Sequence, residues 1–229
     1  MLARSQKALL SGLIDYAGLF PPAALSMEEA VRNYARYREG AHAWMLGKFV
    51  VPDARVHEVP ADFPKSVLGV DELKADGNFE SIRPKTFIEI TDVGLIAELA
   101  KHGLHAKIRT GGLTADATPH LGHVATFIRV CAMHAVPFKA TAGLHHPMRC
   151  APMHGFVNVF MAAAFPHDAE RILAEEDPKA FRFEDDAAWW RDHAVTTEHL
   201  EAVRREFAIS FGSCSFEEPI ADLQALGWL

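Results

Sequence analysis

Lys107 and Arg109 stand two residues apart in Ala106-Lys107-Ile108-Arg109-Thr110, and Lys139 stands in a second run of the same kind, Phe138-Lys139-Ala140-Thr141. Residues two apart on a strand share a face. Lys107 and Arg109 therefore point one way and Ile108 the other, while Lys139 and Thr141 oppose Phe138 and Ala140. Glu89, between Ile88 and Ile90, has the same phase. The aliphatic members belong under helices, which turns the charged set inward. An amine beside other cations has a lowered pKa, and a neutral amine is the nucleophile that attacks a carbonyl to form an imine. That role is expected of Lys139, with Lys107 and Glu89 as its partners. His145 and His146 follow and would move protons near neutral pH.

Small residues gather where these runs end. Gly111 and Gly112 follow Thr110, Gly143 follows Thr141, and Gly212-Ser213-Cys214-Ser215 follows the last apolar run. Backbone amides in such turns approach an anion closely, and Arg109 adds a planar donor. Asp15, in Asp15-Tyr16-Ala17-Gly18, stands at an equivalent turn. The expected ligand is a small anionic oxo compound or phosphate ester. Its expected contacts are Arg109, Thr110, Gly111, Gly112, Thr141, Gly143, Gly212, Ser213, Cys214, Ser215 and Asp15. A plainer reading makes the charges an interior salt-bridge layer, the glycines ordinary turns and Cys214 a small filler. Position at strand ends favours the functional reading.

A metal centre is the rival chemistry. His146, Cys150 and His154 recur at intervals of four, a spacing that puts three ligands on one helical face. Pro147 and Pro152 oppose that helix, so a loop would have to gather His145, His146 and His154, with Glu89 as a fourth ligand. No tight ligand motif is present, and neither a metal nor another cofactor is expected. His120 and His123 read as solvated.

The elements that must hold these residues alternate. Strands are expected at Leu13–Phe20, Trp44–Val51, Val67–Val70, Thr86–Ile90, Ala106–Thr110, Pro137–Thr141, Phe181–Asp185 and Ala208–Phe211. Ser26 with Glu29 forms a capping box for a helix to Arg38, with Ala30, Tyr34 and Tyr37 inside. Asp92 caps a helix to His102, and Thr118-Pro119 opens one whose buried stripe is Val124, Phe127, Ile128 and Cys131. Further helices are expected at His154–Ala164, His167–Glu175, Thr197–Phe207 and Pro219–Leu226. Alternation of this kind implies right-handed crossovers, and eight repeats imply a closed (β/α)8 TIM-like barrel over residues 1–229 as a single domain. An open doubly wound sheet is the alternative, weakened by the lack of a Gly-x-Gly-x-x-Gly turn.

The chain has 229 residues and a formal charge of −7, against general nucleic-acid binding. Three cysteines, Cys131, Cys150 and Cys214, in no paired spacing read as reduced thiols. Met1 to Gly12 lacks an export signal, and no apolar run approaches a membrane span. A cytoplasmic protein with no membrane or nucleic-acid partner is expected, and homo-oligomerisation is left open.

Lys139 to Gly143, a strand-six lysine before a Thr/Gly turn, resembles class I barrel aldolases such as deoxyribose-phosphate aldolase. That resemblance implies an imine at Lys139. The second lysine of that family falls on strand seven, whereas here it falls on strand five. Leu13–Pro22, Lys107–Gly112, Lys139–Pro147 and Gly212–Phe216 also resemble a set of small bacterial barrel proteins, from which no activity carries over. The expected function is an imine-forming carbon–carbon lyase. The alternatives are a metal-dependent hydrolase or lyase and a non-catalytic barrel that binds an anionic metabolite. Geometrically, Lys107, Arg109, Lys139 and Glu89 should converge in one cavity, with glycines 111, 112 and 212 at its mouth and the His145–His146 loop above.

Overall fold

Alternation along the strands sorts what lies against the helices from what lies inside. Phe49, Val51, Ile88, Ile108, Phe138, Ala140 and Phe211 are all buried. Phe138 stacks on Phe160 and Phe211 on Phe156, and Phe49 meets the ring of Tyr34 edge-on at 5.4 Å. Their strand neighbours Asp15, Lys107, Lys139 and Ser210 carry polar groups into the interior instead.

A computed structural model describes every residue except 1, 113, 115 and 116. Its strands are β1 (Ile14–Tyr16), β2 (Leu46–Pro52), β3 (Lys65–Leu68), β4 (Glu72–Lys74), β5 (Phe87–Glu89), β6 (His105–Arg109), β7 (Phe138–Thr141), β8 (Phe181–Phe183), β9 (Ala187–Trp190), β10 (His193–Thr196) and β11 (Ala208–Ser213). Eight of them close a parallel barrel in the order β1-β11-β7-β6-β5-β4-β3-β2. The helices are α1 (Arg4–Leu10), α2 (Met27–Glu39), α3 (Ile96–Lys101), α4 (Leu121–Met133), α5 (Phe156–Ala164), α6 (Ala169–Leu173), α7 (Thr197–Glu206) and α8 (Glu217–Ala225). The fold is a TIM-like barrel, and the closed sheet removes the doubly wound alternative. No helix among the described residues is long and apolar enough to cross a membrane.

The expected cap holds at α2, where Ser26 Oγ accepts from the Glu29 amide at 3.2 Å. Asp92 likewise accepts from the Gly94 amide at 2.8 Å, in a 3-10 turn that leads into α3. The helix expected from Thr118 starts later, at Leu121, behind His120 with no side-chain cap.

The largest correction concerns the barrel strands. Phe181–Phe183 pairs antiparallel with β9, in a separate three-stranded sheet of order β10-β9-β8. The vacated barrel position is filled by β4. No crossover helix precedes β4: the chain turns at Gly69, which has φ +103°, and Leu68 pairs with Glu72. Here the chain steps sideways by one barrel position instead of looping over a helix. A three-residue strand carrying two charges shows no apolar signal.

Opposite the strand C-termini, Arg204 of α7 closes the barrel floor. Its Nε donates to Leu9 O at 2.8 Å, Nη2 to Ser11 O at 3.2 Å, and Nη1 to Ile209 O at 2.7 Å and to Ala208 O. The guanidinium also lies 4.8 Å from the centre of the Phe160 ring. Burial pushes its pKa down to about 9. Removing it orphans several buried carbonyls, each costing about 1–3 kcal/mol. Arg204→Met should therefore lower the unfolding free energy by about 3 kcal/mol or more in urea titration, and a loss below about 1 kcal/mol would show that water replaces the guanidinium.

Candidate active site

Register puts the inward charges side by side. Lys74 pairs with Glu89, Glu89 with Lys107, and Lys107 with Lys139, across the four adjacent strands β4 to β7. Strands in a sheet lie about 4.8 Å apart, so inward side chains at matched positions meet directly. Lys139 Nζ donates to Asp15 Oδ2 at 2.7 Å and Glu72 Oε1 at 2.6 Å. Lys107 Nζ reaches Glu72 Oε2 at 2.9 Å and Glu89 Oε2 at 3.0 Å. Arg109 Nε completes the series on Glu89 Oε1 at 3.3 Å.

The result is a chain of alternating sign: Asp15, Lys139, Glu72, Lys107, Glu89, Arg109. Three carboxylates meet three cations, and the sum is zero. Hydroxyls fill remaining acceptor sites, with Ser66 on Glu72 at 2.6 Å and Ser210 on Asp15 at 2.8 Å. Asp15 Oδ1 accepts from the Lys48 amide at 2.7 Å. A Cβ at position 47 would collide with that carboxylate, which accounts for Gly47.

The electrostatics follow from the pairing. Burial alone would raise the Glu72 carboxyl, but Lys139 and Lys107 hold it down at about 2. Burial likewise opposes ionisation of Glu89, and Lys107 and Arg109 overcome it. For Lys139, burial would lower the pKa, yet Asp15 and Glu72 raise it. This reverses the sequence expectation of a lowered Lys139. The cations beside it were legible, whereas Glu72, which separates it from Lys107, was not.

A cavity of about 710 Å³ opens above this chain at the strand C-termini. Lys107, Arg109, Lys139, Glu89, Thr141, Gly143, Gly112, Gly212, Ser213, Cys214 and His145 all line it, as expected. Exposure is graded: the Lys139 side chain is 3 % exposed, Lys107 9 % and Arg109 49 %. The Arg109 Nη nitrogens make no hydrogen bond among the described residues. Glu72, Lys74, Phe20, Pro22, Val50 and Leu68 also line the cavity and were not anticipated. Glu72-Leu73-Lys74 repeats the alternation of Lys107-Ile108-Arg109, but a single apolar residue between two charges is too short a run to mark a strand.

Several expected contacts lie elsewhere. Thr110 is fully buried, and its hydroxyl donates to Ala142 O at 2.5 Å. A Cβ on Gly111 would lie 2.7 Å from Gly143 Cα, so these glycines let the loops after β6 and β7 touch. Gly111 packs backbone against backbone and does not line the cavity. Ser215 Oγ accepts from the Glu218 amide at 3.1 Å at the start of α8. Asp15 is not at the rim but within the charge chain. His146 shares a 2.5 Å hydrogen bond with Asp222 outside the cavity, and His145 one of 3.1 Å with Glu218 at its edge. His154 is buried against Pro119 O at 2.8 Å. The histidines of the metal alternative thus have three separate partners. Among the described residues, no group of three or more His, Cys, Asp or Glu side chains is placed to hold a metal ion.

Glu72 is the shared counter-ion, and removing one partner from a buried ion pair leaves the other charge exposed to a poor solvent. Glu72→Gln should cost about 3–5 kcal/mol, or roughly 6–20 °C in melting temperature for a chain of this size. Because the folded-state carboxyl titrates at about 2 rather than 4.5, its contribution is complete above the upper value and is lost as pH falls toward the lower one. The variant should lose that part of the acid dependence in pH-resolved melts. Wild-type acid dependence in Glu72→Gln would contradict the assignment.

No family model matches the chain, and no curated protein or solved structure matches it. Counted in chain order, Lys107 stands on the sixth barrel strand and Lys139 on the seventh, which corrects the expected placement on strands five and six, and the closed parallel barrel itself points to no particular family.

Proposed function

We propose that this barrel is a carbon–carbon lyase that binds a small anionic oxo compound and forms an imine with a cavity lysine. One observation carries the reading: an amine within hydrogen-bond reach of two carboxylates lies on the cavity floor, beneath a half-exposed guanidinium. Those groups are Lys107, Glu72, Glu89 and Arg109. Lys107 is the better nucleophile because it is more accessible than Lys139, which Asp15 and Glu72 keep as an ammonium.

Substrate binding prepares the amine. An anionic group on Arg109 weakens one of the two cations that hold Glu89 low, making Glu89 more basic. Lys107 Nζ gives a proton to Glu89 Oε2, 3.0 Å away, and attacks the carbonyl carbon. The C–N bond forms as the C–O π pair moves to oxygen. That oxygen takes two protons, one from the attacking nitrogen and one held by Glu89, and leaves as water. The resulting iminium accepts the electron pair of the neighbouring C–C bond as it breaks, while the departing hydroxyl carbon becomes a carbonyl and releases its proton. His145, oriented by Glu218, is the cavity group able to carry that proton onward.

Borohydride with an oxo acid should add the mass of the reduced substrate to the peptide containing Lys107, and Lys107→Met should abolish the adduct. An adduct on Lys139 alone would exchange the two lysines' roles, and no adduct from a broad oxo-acid panel would contradict the imine. A second reading, a barrel that binds an anionic metabolite without chemistry, is favoured by the neutrality of the charge chain, which leaves no amine uncompensated. It predicts ligand binding that survives Lys107→Met.

A further inference from the structure

The cavity wall is divided. On the β6 and β7 side stand Lys107, Arg109 and Thr141. On the β1 to β3 side stand Phe20, Pro22, Val50 and Leu68. This second arc offers a ligand no side-chain donor or acceptor, and proline has no N–H to give. A hydroxylated ligand body laid along it would surrender water without replacement. An apolar body would displace water from apolar surface at a gain.

Size points the same way. At roughly 30 Å³ per water in the liquid, the cavity holds the equivalent of more than twenty waters, within the common range for sites that enclose ligands well above three carbons. A ligand spanning only Arg109 and Lys107 would leave the apolar arc wet.

We propose that the ligand is an oxo acid with an apolar tail, of the phenyl or branched-chain kind. Its carboxylate sits on Arg109, its carbonyl lies at Lys107, and its tail runs along Phe20, Pro22, Val50 and Leu68. The head of this ligand rests on the anion-and-carbonyl reading above, while the tail follows from the wall alone. Polyhydroxylated phosphates are excluded from the preferred class by the same wall.

Calorimetric titration with three unreactive probes separates the two. The probes are 4-phenylbutanoate, butanoate and glycerol 3-phosphate, none of which can form an imine. The 4-phenylbutanoate should bind at least about tenfold tighter than either of the others, because each apolar group placed in a matching pocket contributes about that factor or more. Leu68→Asn, or the near-isosteric Val50→Thr should Leu68→Asn fail to fold, should remove about tenfold of that affinity and leave butanoate within about twofold. Equal affinity for the two acids, tighter binding of glycerol 3-phosphate, or no binding by any probe at millimolar concentration would overturn the proposal. Tight 4-phenylbutanoate binding without a borohydride adduct from phenylpyruvate would leave the tail assignment standing and remove the imine alone.

Discussion

One carboxylate, that of Glu72, divides its two oxygens between the ammonium groups of Lys139 and Lys107. Two buried ammonium groups on neighbouring strands would repel and would each lose hydration at a cost of several kcal/mol. With Glu72 between them, and Asp15 and Glu89 outside, Lys139, Glu72, Lys107 and Glu89 each face two charges of opposite sign, while buried Asp15 faces Lys139 and two neutral donors. Arg109, at the other end of the series, has a single charged partner and a large exposed surface. The polarity of the cavity follows from this order, because the donors still available to a ligand are concentrated at that end.

The backbone arrangement follows from the same requirement. Strand β4 exists to bring Glu72 to the level of Lys107 and Lys139, and the chain reaches it by a sidestep at Gly69 rather than a crossover helix. Gly47 leaves room for Asp15, and the contact of Gly111 with Gly143 draws the loops after β6 and β7 together beside Arg109 and Thr141. These glycines let backbone segments approach closely, and Gly143 also lines the cavity.

Much of the fold was legible because it rests on local periodicity. The alternation at Lys107-Ile108-Arg109 and Phe138-Lys139-Ala140 placed the charges inward, and Ser26 marked α2. What escaped notice lacked an apolar signature or depended on long-range contact. Strand β4 is three residues long with two charged, and Phe181–Phe183 is an apolar segment used outside the barrel. Residue type revealed that the lysines were cations in one interior, but their protonation depends on carboxylates distant in sequence. Asp15 lies 124 residues before Lys139 and Glu72 lies 67 before it. Two lysines without Glu72 would lower each other's pKa, whereas with it Lys139 is raised. The divided wall was hidden for a similar reason, since Phe20, Val50 and Leu68 read individually as core.

The claim on which everything else depends is that these charges form one energetic unit. A double-mutant cycle on Lys139→Met and Glu72→Gln, read as unfolding free energy from denaturant titrations, tests it most directly. The coupling should be about 2 kcal/mol or more, with the double variant markedly less destabilised than the sum of the single ones. Single effects that add to within about 0.5 kcal/mol would contradict it.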